Sequence, residues 1–345
     1  MNQKRTGATR GRVTYFDWLR GAATFAVVVL HVFNKMLTDH SVAELGVPLV
    51  LTWTELQLVL TRWAVPVFLM ITGALLLDPS RRVGWPKIGR YVARMAAVLL
   101  IFCPVYTCMS ARAITIAAII EGLGKALTQE SWDHLWYVYA LIGLYALTPI
   151  LAEYVRSASR QLQRATLLVL AVPTLVVPTI NFATGTHLVT FVWVTSSLFY
   201  YLLGSYAHRY LHLDARTSLL GLGALAVGIA GIALLVVMQG RYPKWLIRPE
   251  SPLVALWSLF VFLAAKTHLD GRPAPAPLAF ASTHSLGIYL LHPLTLIVLY
   301  RRLWWMPYQT LPPVLFELVV LGIVYGVTLP LAWALKRMPG LDKIL

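Results

Sequence analysis

Arg20 and His31 stand eleven positions apart within an otherwise apolar run, Phe16 to His31, that is long enough to enter a membrane. Eleven positions make about three whole helical turns, so on a helix the guanidinium and the imidazole share one face roughly 16 Å apart along the axis. Ionisable side chains at membrane depth are costly and are rarely kept without a use. Histidine suits proton transfer near neutral pH, and a desolvated site favours the neutral imidazole that a general base needs. Arg20 can instead snorkel to headgroups, with Asp17, one turn earlier, pairing with it or capping the helix start. Snorkelling suits His31 less, because it lies past the midpoint of the bilayer.

The elements that must position this pair follow from composition. Of 345 residues, 58% are hydrophobic and 12% charged, and the mean hydropathy is +0.69; soluble chains carry about 25% charged residues. The apolar segments run about 20 residues, so helices rather than barrel strands satisfy the backbone in lipid. The expected fold is an all-α polytopic membrane protein of about ten transmembrane helices, over 15–37, 55–77, 88–109, 133–152, 165–181, 188–207, 217–238, 252–269, 278–300 and 312–335. The fifth is short and is interrupted by Pro173 and Pro178. Residues 1–13 read as a mobile cytoplasmic tail and 14–345 as a single transmembrane domain. The first run is too long for a cleavable signal peptide and reads as an anchor.

The net charge of +15 raises the question of nucleic acid. With ten spans, however, the loops on the side of the two termini hold more than twice as many Lys and Arg as the opposite loops. The positive-inside rule then places both termini in the cytoplasm, and nucleic acid is not an expected partner. Cys103 and Cys108, five apart on one span, imply neither a disulfide nor a metal site. His208 and His212 are spaced i, i+4 with no ligand set around them, so no metal is expected.

Other polar positions fall at helical spacing. Glu55, Arg62 and Pro66 share a face, and Pro66 predicts a kink that lines a cavity, unless Arg62 only pairs with Glu55. Arg81, Arg82, Lys87, Arg90 and Arg94 gather between the second and third spans, where they suit a phosphorylated ligand or anionic lipid headgroups. Trp132, Trp136 and Tyr139, next to His134, suit either sugar stacking or an interfacial aromatic belt. Ser285, Tyr289 and His292 make a polar stripe facing other helices. Glu317, about a turn inside the last span, fits a proton relay or an ion pair with Arg301 or Arg302.

Asp17-Trp18-Leu19-Arg20-Gly21 followed by His31 resembles the Arg-x10-His signature of membrane-bound acyltransferase family 3. Three further stretches resemble the same family in the same order: Arg62 to Gly73, His134 to Tyr145 with Thr148-Pro149, and Ser285 to Pro293. The His134-Leu135-Trp136 segment is most similar to the branch that O-acetylates surface-polysaccharide sugars, including the enzyme that modifies enterobacterial common antigen. Thr72-Gly73 stands where Ser-Gly is common, and Phe68 is single where two phenylalanines are frequent.

The resemblance implies transfer of an acetyl group from cytoplasmic acetyl-CoA to a sugar hydroxyl on a lipid-linked or polymeric acceptor, in a bacterial inner membrane. It implies that Arg81, Arg82, Lys87, Arg90 and Arg94 meet the CoA phosphates. Arg20 would position the donor, and His31 would be the general base or the acyl carrier, the two roles remaining open. Asp17, Arg62, His134, Trp136, Tyr139, Tyr289, His292 and Glu317 would support the site. The rivals are a transporter, in which Arg20, Arg62, His31 and Glu317 line a pathway, and a non-catalytic subunit of a polysaccharide-export complex. No internal repeat favours the transporter.

Overall fold

A computed structural model describes residues 13–39, 61–128, 132–188, 192–239, 245, 248–302 and 313–345, and every regular element among them is helical. The tail at 1–12 and Glu55 lie outside the described residues, as do the side chains of Lys35, Arg301 and Arg302. Among the described residues, five helices are long and apolar enough to cross a membrane, and a bent pair counted as one span makes a sixth. Large apolar side chains such as Leu100, Ile150, Leu168, Leu219 and Leu318 are exposed on the outside of the bundle, as expected of a surface solvated by lipid.

Helix α1 (Thr14–Asp39) is the hub. It packs against α2 (Ala64–Leu76), α10 (Pro252–Leu269), α11 (Ala276–Thr283), α12 (Ser285–Arg302) and α13 (Pro313–Leu335). Tyr15, Phe16, Leu19, Ala23, Val27, Val28 and Val32 are buried there. Gly21 follows Arg20 because the chain of α11 crosses at that point: a Cβ at Gly21 would sit 2.3 Å from the Leu278 carbonyl oxygen. Tyr325 of α13 donates to the Phe25 carbonyl at 2.8 Å and ties the last long helix to the hub.

Between these lie α3 (Trp85–Ala111), α4 (Ile116–Thr128), α5 (Trp136–Ser157), α6 (Arg160–Ala171), α7 (Val177–Thr184), α8 (Val192–Tyr210) and α9 (Ala215–Gln239), with α14 (Leu341–Ile344) last. Helices α6 and α7 form one 25-residue span, joined by a π turn at Val172–Val176. The wider turn accommodates Pro173, which has no N–H to donate, so the interrupted fifth span is continuous.

Three elements differ from the sequence-based expectation. Pro66 sits in the first turn of α2, after turn residues 61–63, where a missing N–H costs little. It therefore does not kink the described helix. The span expected over 278–300 is broken at His284, and α11 and α12 meet there at 85°. Helix α4 occupies a segment read as an outer loop; at 13 residues it is about 20 Å long, too short to span.

Helices α2 and α8 cross at contact distance, since a Cβ on Gly73 would lie 1.8 Å from the Tyr201 carbonyl oxygen and one on Gly204 2.0 Å from that of Met70. Backbone cannot yield as a side chain can, so Gly73→Ala is expected to cost about 1–3 kcal/mol or more. The measurement is the unfolding midpoint in detergent. Gly143→Ala, where a Cβ meets nothing within 4 Å, should leave that midpoint unchanged or raise it slightly, as Ala favours the helix more than Gly.

Candidate active site

Three imidazoles from distant parts of the chain converge beside α1. The ring centroids of His31 and His292 are 4.8 Å apart, of His31 and His134 6.3 Å, and of His134 and His292 6.1 Å. His134 and His292 are buried. A short 3-10 turn, Asp133–Leu135, delivers His134 just ahead of α5. His292 sits on α12 before Pro293, which leaves a turn without one of its hydrogen bonds. Among the described residues, no three His, Cys, Asp or Glu side chains form a set that could hold a metal ion.

The hydrogen-bond partners assign the tautomers. A carbonyl oxygen can only accept, so Nδ1 of His31, 2.8 Å from the Val27 oxygen, carries its proton. Nδ1 of His292 likewise donates to the Ile288 oxygen at 3.0 Å. Its Nε2 is then an acceptor and lies 3.2 Å from His31 Nδ1. The basic nitrogen of neutral His31 is therefore Nε2. Tyr106 spends its one proton on the Leu290 oxygen at 2.9 Å, so it accepts from His134 Nε2 at 3.1 Å. That leaves Nδ1 of His134 as a lone pair, buried and without a hydrogen-bond partner among the described residues. The Tyr289 hydroxyl donates to the His134 carbonyl and fixes the turn from the other side.

His31 and His134 line one cavity of about 170 Å³, together with Arg62, Trp136, Tyr137 and Pro249. A second cavity, of about 410 Å³, is lined by Arg20, Arg94, Lys336, Thr72, Tyr145 and Leu345. The two share Val27, Val65, Tyr137 and Tyr289, so those four side chains form a common wall. A smaller adjoining space of about 240 Å³ is lined by Arg20, Tyr91, Arg94 and Tyr145. Arg20 and His31 thus face successive compartments along one helix.

The second cavity is rich in cations. Arg94 donates through Nε and Nη2 to the main-chain oxygens of Ile344 and Leu345, at 2.8 and 2.9 Å. Lys336 donates to the Thr283 carbonyl. Burial, together with the nearby Arg94 charge, holds the Lys336 ammonium below its ordinary pKa. Asp17 accepts from Ser282 at 3.2 Å at the same end.

Several positions singled out in the sequence lie elsewhere. Arg81 pairs with Asp78 at 3.5 Å, and Arg82, Lys87 and Arg90 are exposed, Lys87 lying over the Tyr91 ring. Of the five basic residues in that cluster, only Arg94 lines the cation-rich cavity. Trp132, Trp136 and Tyr139 do not form one platform. Trp132 stacks on Tyr106, Trp136 faces the His31 cavity, and Tyr139 donates to Lys125 and Ala126 carbonyls of α4. Glu317 is fully buried, outside these cavities, and neither carboxylate oxygen has a hydrogen-bond partner among the described residues. His208, of the i, i+4 pair, bonds the Tyr15 hydroxyl at 2.6 Å.

Lys336, Tyr106 and Tyr137 were not singled out from sequence. Lys336 reads as one of many basic residues at a span end, and a tyrosine in an apolar helix carries no spacing signal of its own.

No curated protein and no solved structure matches the chain significantly. A family model described as an acyltransferase domain matches residues 13–337, nearly the whole chain. With that match and with Arg20 and His31 aligned on its central helix, the chain belongs to acyltransferase family 3, a family of membrane acyltransferases.

Proposed function

We propose that this protein is an O-acyltransferase of a bacterial cytoplasmic membrane that moves an acetyl group from acetyl-CoA to a hydroxyl of a surface polysaccharide or its lipid-linked sugar precursor. The observation that carries this reading is the shared wall of the two cavities, with cations on one side and the His31 and His134 imidazoles on the other. The resemblance of the His134 segment to polysaccharide O-acetyltransferases supports the acceptor class. On this reading about ten spans cross the membrane, with both termini and the Arg20 cavity on the cytoplasmic side, as the basic loops favour.

The Arg20 cavity takes the phosphate-bearing end of the donor. Arg20, Arg94 and Lys336 surround it, and arginine binds phosphate through paired N–H bonds. The thioester passes the wall beside Tyr137 and reaches His31. A 170 Å³ compartment is well below the roughly 300–1,000 Å³ of pockets that enclose drug-sized ligands, which favours a short acyl group.

His31 Nε2 takes the proton of the acceptor hydroxyl as its oxygen forms the new ester bond to the thioester carbon. The carbon–sulfur bond breaks, and the departing thiolate recovers that proton from the imidazolium. His292 Nε2, accepting from His31 Nδ1, steadies the transient charge, a positioning role like that of the carboxylate in a hydrolase triad. Arg62, on the same cavity, lies where it can offset negative charge on the carbonyl oxygen.

The test uses the full chain in nanodiscs with radiolabelled acetyl-CoA and a lipid-linked sugar. Label should move to the sugar with matching CoA release. Equal background release from wild type and His31→Asn overturns the reading. A burst of CoA stoichiometric with enzyme, without acceptor, replaces direct attack by an acyl-histidine route.

A further inference from the structure

A groove of about 830 Å³ lies on the outer face of α3, away from the histidine cavity. Its walls come from three helices: Leu100 and Val105 of α3, Ile119 and Leu123 of α4, and Val298 of α12. Leu100, Val105, Ile119, Leu123 and Val298 are all exposed. Arg112, also exposed, lines the groove at the end of α3 in a left-handed conformation with φ 57°. Among the described residues Arg112 has no carboxylate partner; Glu121 of α4 is paired with Lys125 at 2.7 Å.

Helix α4 creates the groove. Its small buried face, Ala118, Gly122 and Ala126, packs on α3, with Gly122 so close to Pro104 that a Cβ would lie 2.4 Å from the Pro104 Cα. Its larger side chains are left to form a ledge beside that contact. From Leu100 to Arg112 the groove follows α3 for about 18 Å, close to half of a hydrocarbon core about 30 Å thick. An apolar trough one leaflet deep, with the Arg112 guanidinium at its mouth, matches a membrane lipid in both length and charge.

We propose that this groove seats a hydrocarbon chain of a phosphate-headed membrane lipid, with Arg112 on the phosphate. The site is separate from the reaction centre, and its occupancy does not depend on the catalytic reading.

Native mass spectrometry of the full chain, released from detergent, tests this with three probes: dioleoylphosphatidylglycerol, dioleoylglycerol, which lacks phosphate, and inorganic phosphate. Wild type should retain the phosphatidylglycerol at least about tenfold better than the diacylglycerol, given the strength of charge-assisted hydrogen bonds. Arg112→Gln should bring the two lipids close to parity, and Val105→Trp, which fills the trough from an exposed position, should lower retention of both. Equal retention of the two lipids by wild type overturns the proposal, as does retention unaffected by Val105→Trp. It is also overturned if inorganic phosphate displaces the lipid and binds the Val105→Trp protein unchanged, or if the apolar face is covered in a lipid-free dimer. If Arg112 only neutralised the end of α3, Arg112→Gln would lower the unfolding midpoint without altering lipid preference, which overturns the proposal equally.

Discussion

Replacing His31 by Asn is expected to reduce acetyl transfer by about 10²–10⁴-fold, the range associated with loss of a general base, with the folded state retained. The asparagine amide can still donate to the Val27 carbonyl, as His31 Nδ1 does, so the turn of α1 keeps its internal bond. What disappears is the imidazole that lines the cavity shared with His134, and with it the base. Turnover is measured with labelled acetyl-CoA and acceptor, and CoA affinity by calorimetry. Affinity should be nearly unchanged, because the cations of the second cavity lie beyond the shared wall. His292→Gln should lower turnover less and shift its pH profile, since it acts through His31 Nδ1 at 3.2 Å. A unit change in turnover together with lost CoA binding would contradict the division of roles.

Arg20→Ala is expected to weaken acetyl-CoA binding about 10- to 150-fold, corresponding to roughly 1.5–3 kcal/mol for a charge-assisted bond. Turnover at saturating donor should fall far less. Arg20→Lys should recover little, because an ammonium lacks the paired donors of the guanidinium. Lys336 adds a pH signature. In the free protein its pKa is lowered by burial and by Arg94, and bound phosphate favours its charged form. Donor binding should therefore take up a proton and weaken as pH rises through the depressed value. Lys336→Arg should flatten this dependence over the same range. A donor KM indifferent to both Arg20→Ala and pH would remove the cation cluster from donor binding.

The Arg20–His31 alignment was legible because helical periodicity is local: α1 holds both residues whatever packs around them. The meeting of His31 with His134 and His292 was not, because it depends on a 3-10 turn and on a helix far along the chain. Residue types pointed to all three, while periodicity said nothing of their mutual distances. Helix α4 escaped notice because Glu121, Gly122, Gly124 and Lys125 make its segment resemble a loop. The basic run after α2 read as one cluster, yet Arg94, one turn deeper along α3 than Arg90, lines the cavity while Arg82 and Arg90 stay exposed. Neither residue next to His284, Thr283 or Ser285, is the Pro or Gly that usually marks a break. The two helices nevertheless meet there at 85°.

The partition formed by Val27, Val65, Tyr137 and Tyr289 has an energetic consequence on the proposed reading. Only the slender thioester end of the donor crosses it, and the nucleotide portion never leaves the compartment from which it entered. Free energy stored in a cytoplasmic thioester is thereby delivered to a hydroxyl beyond the partition while the carrier stays in its own compartment. Spent CoA returns to the pool that recharges it. The protein then behaves as a vectorial catalyst, passing two carbons through a barrier that retains everything else.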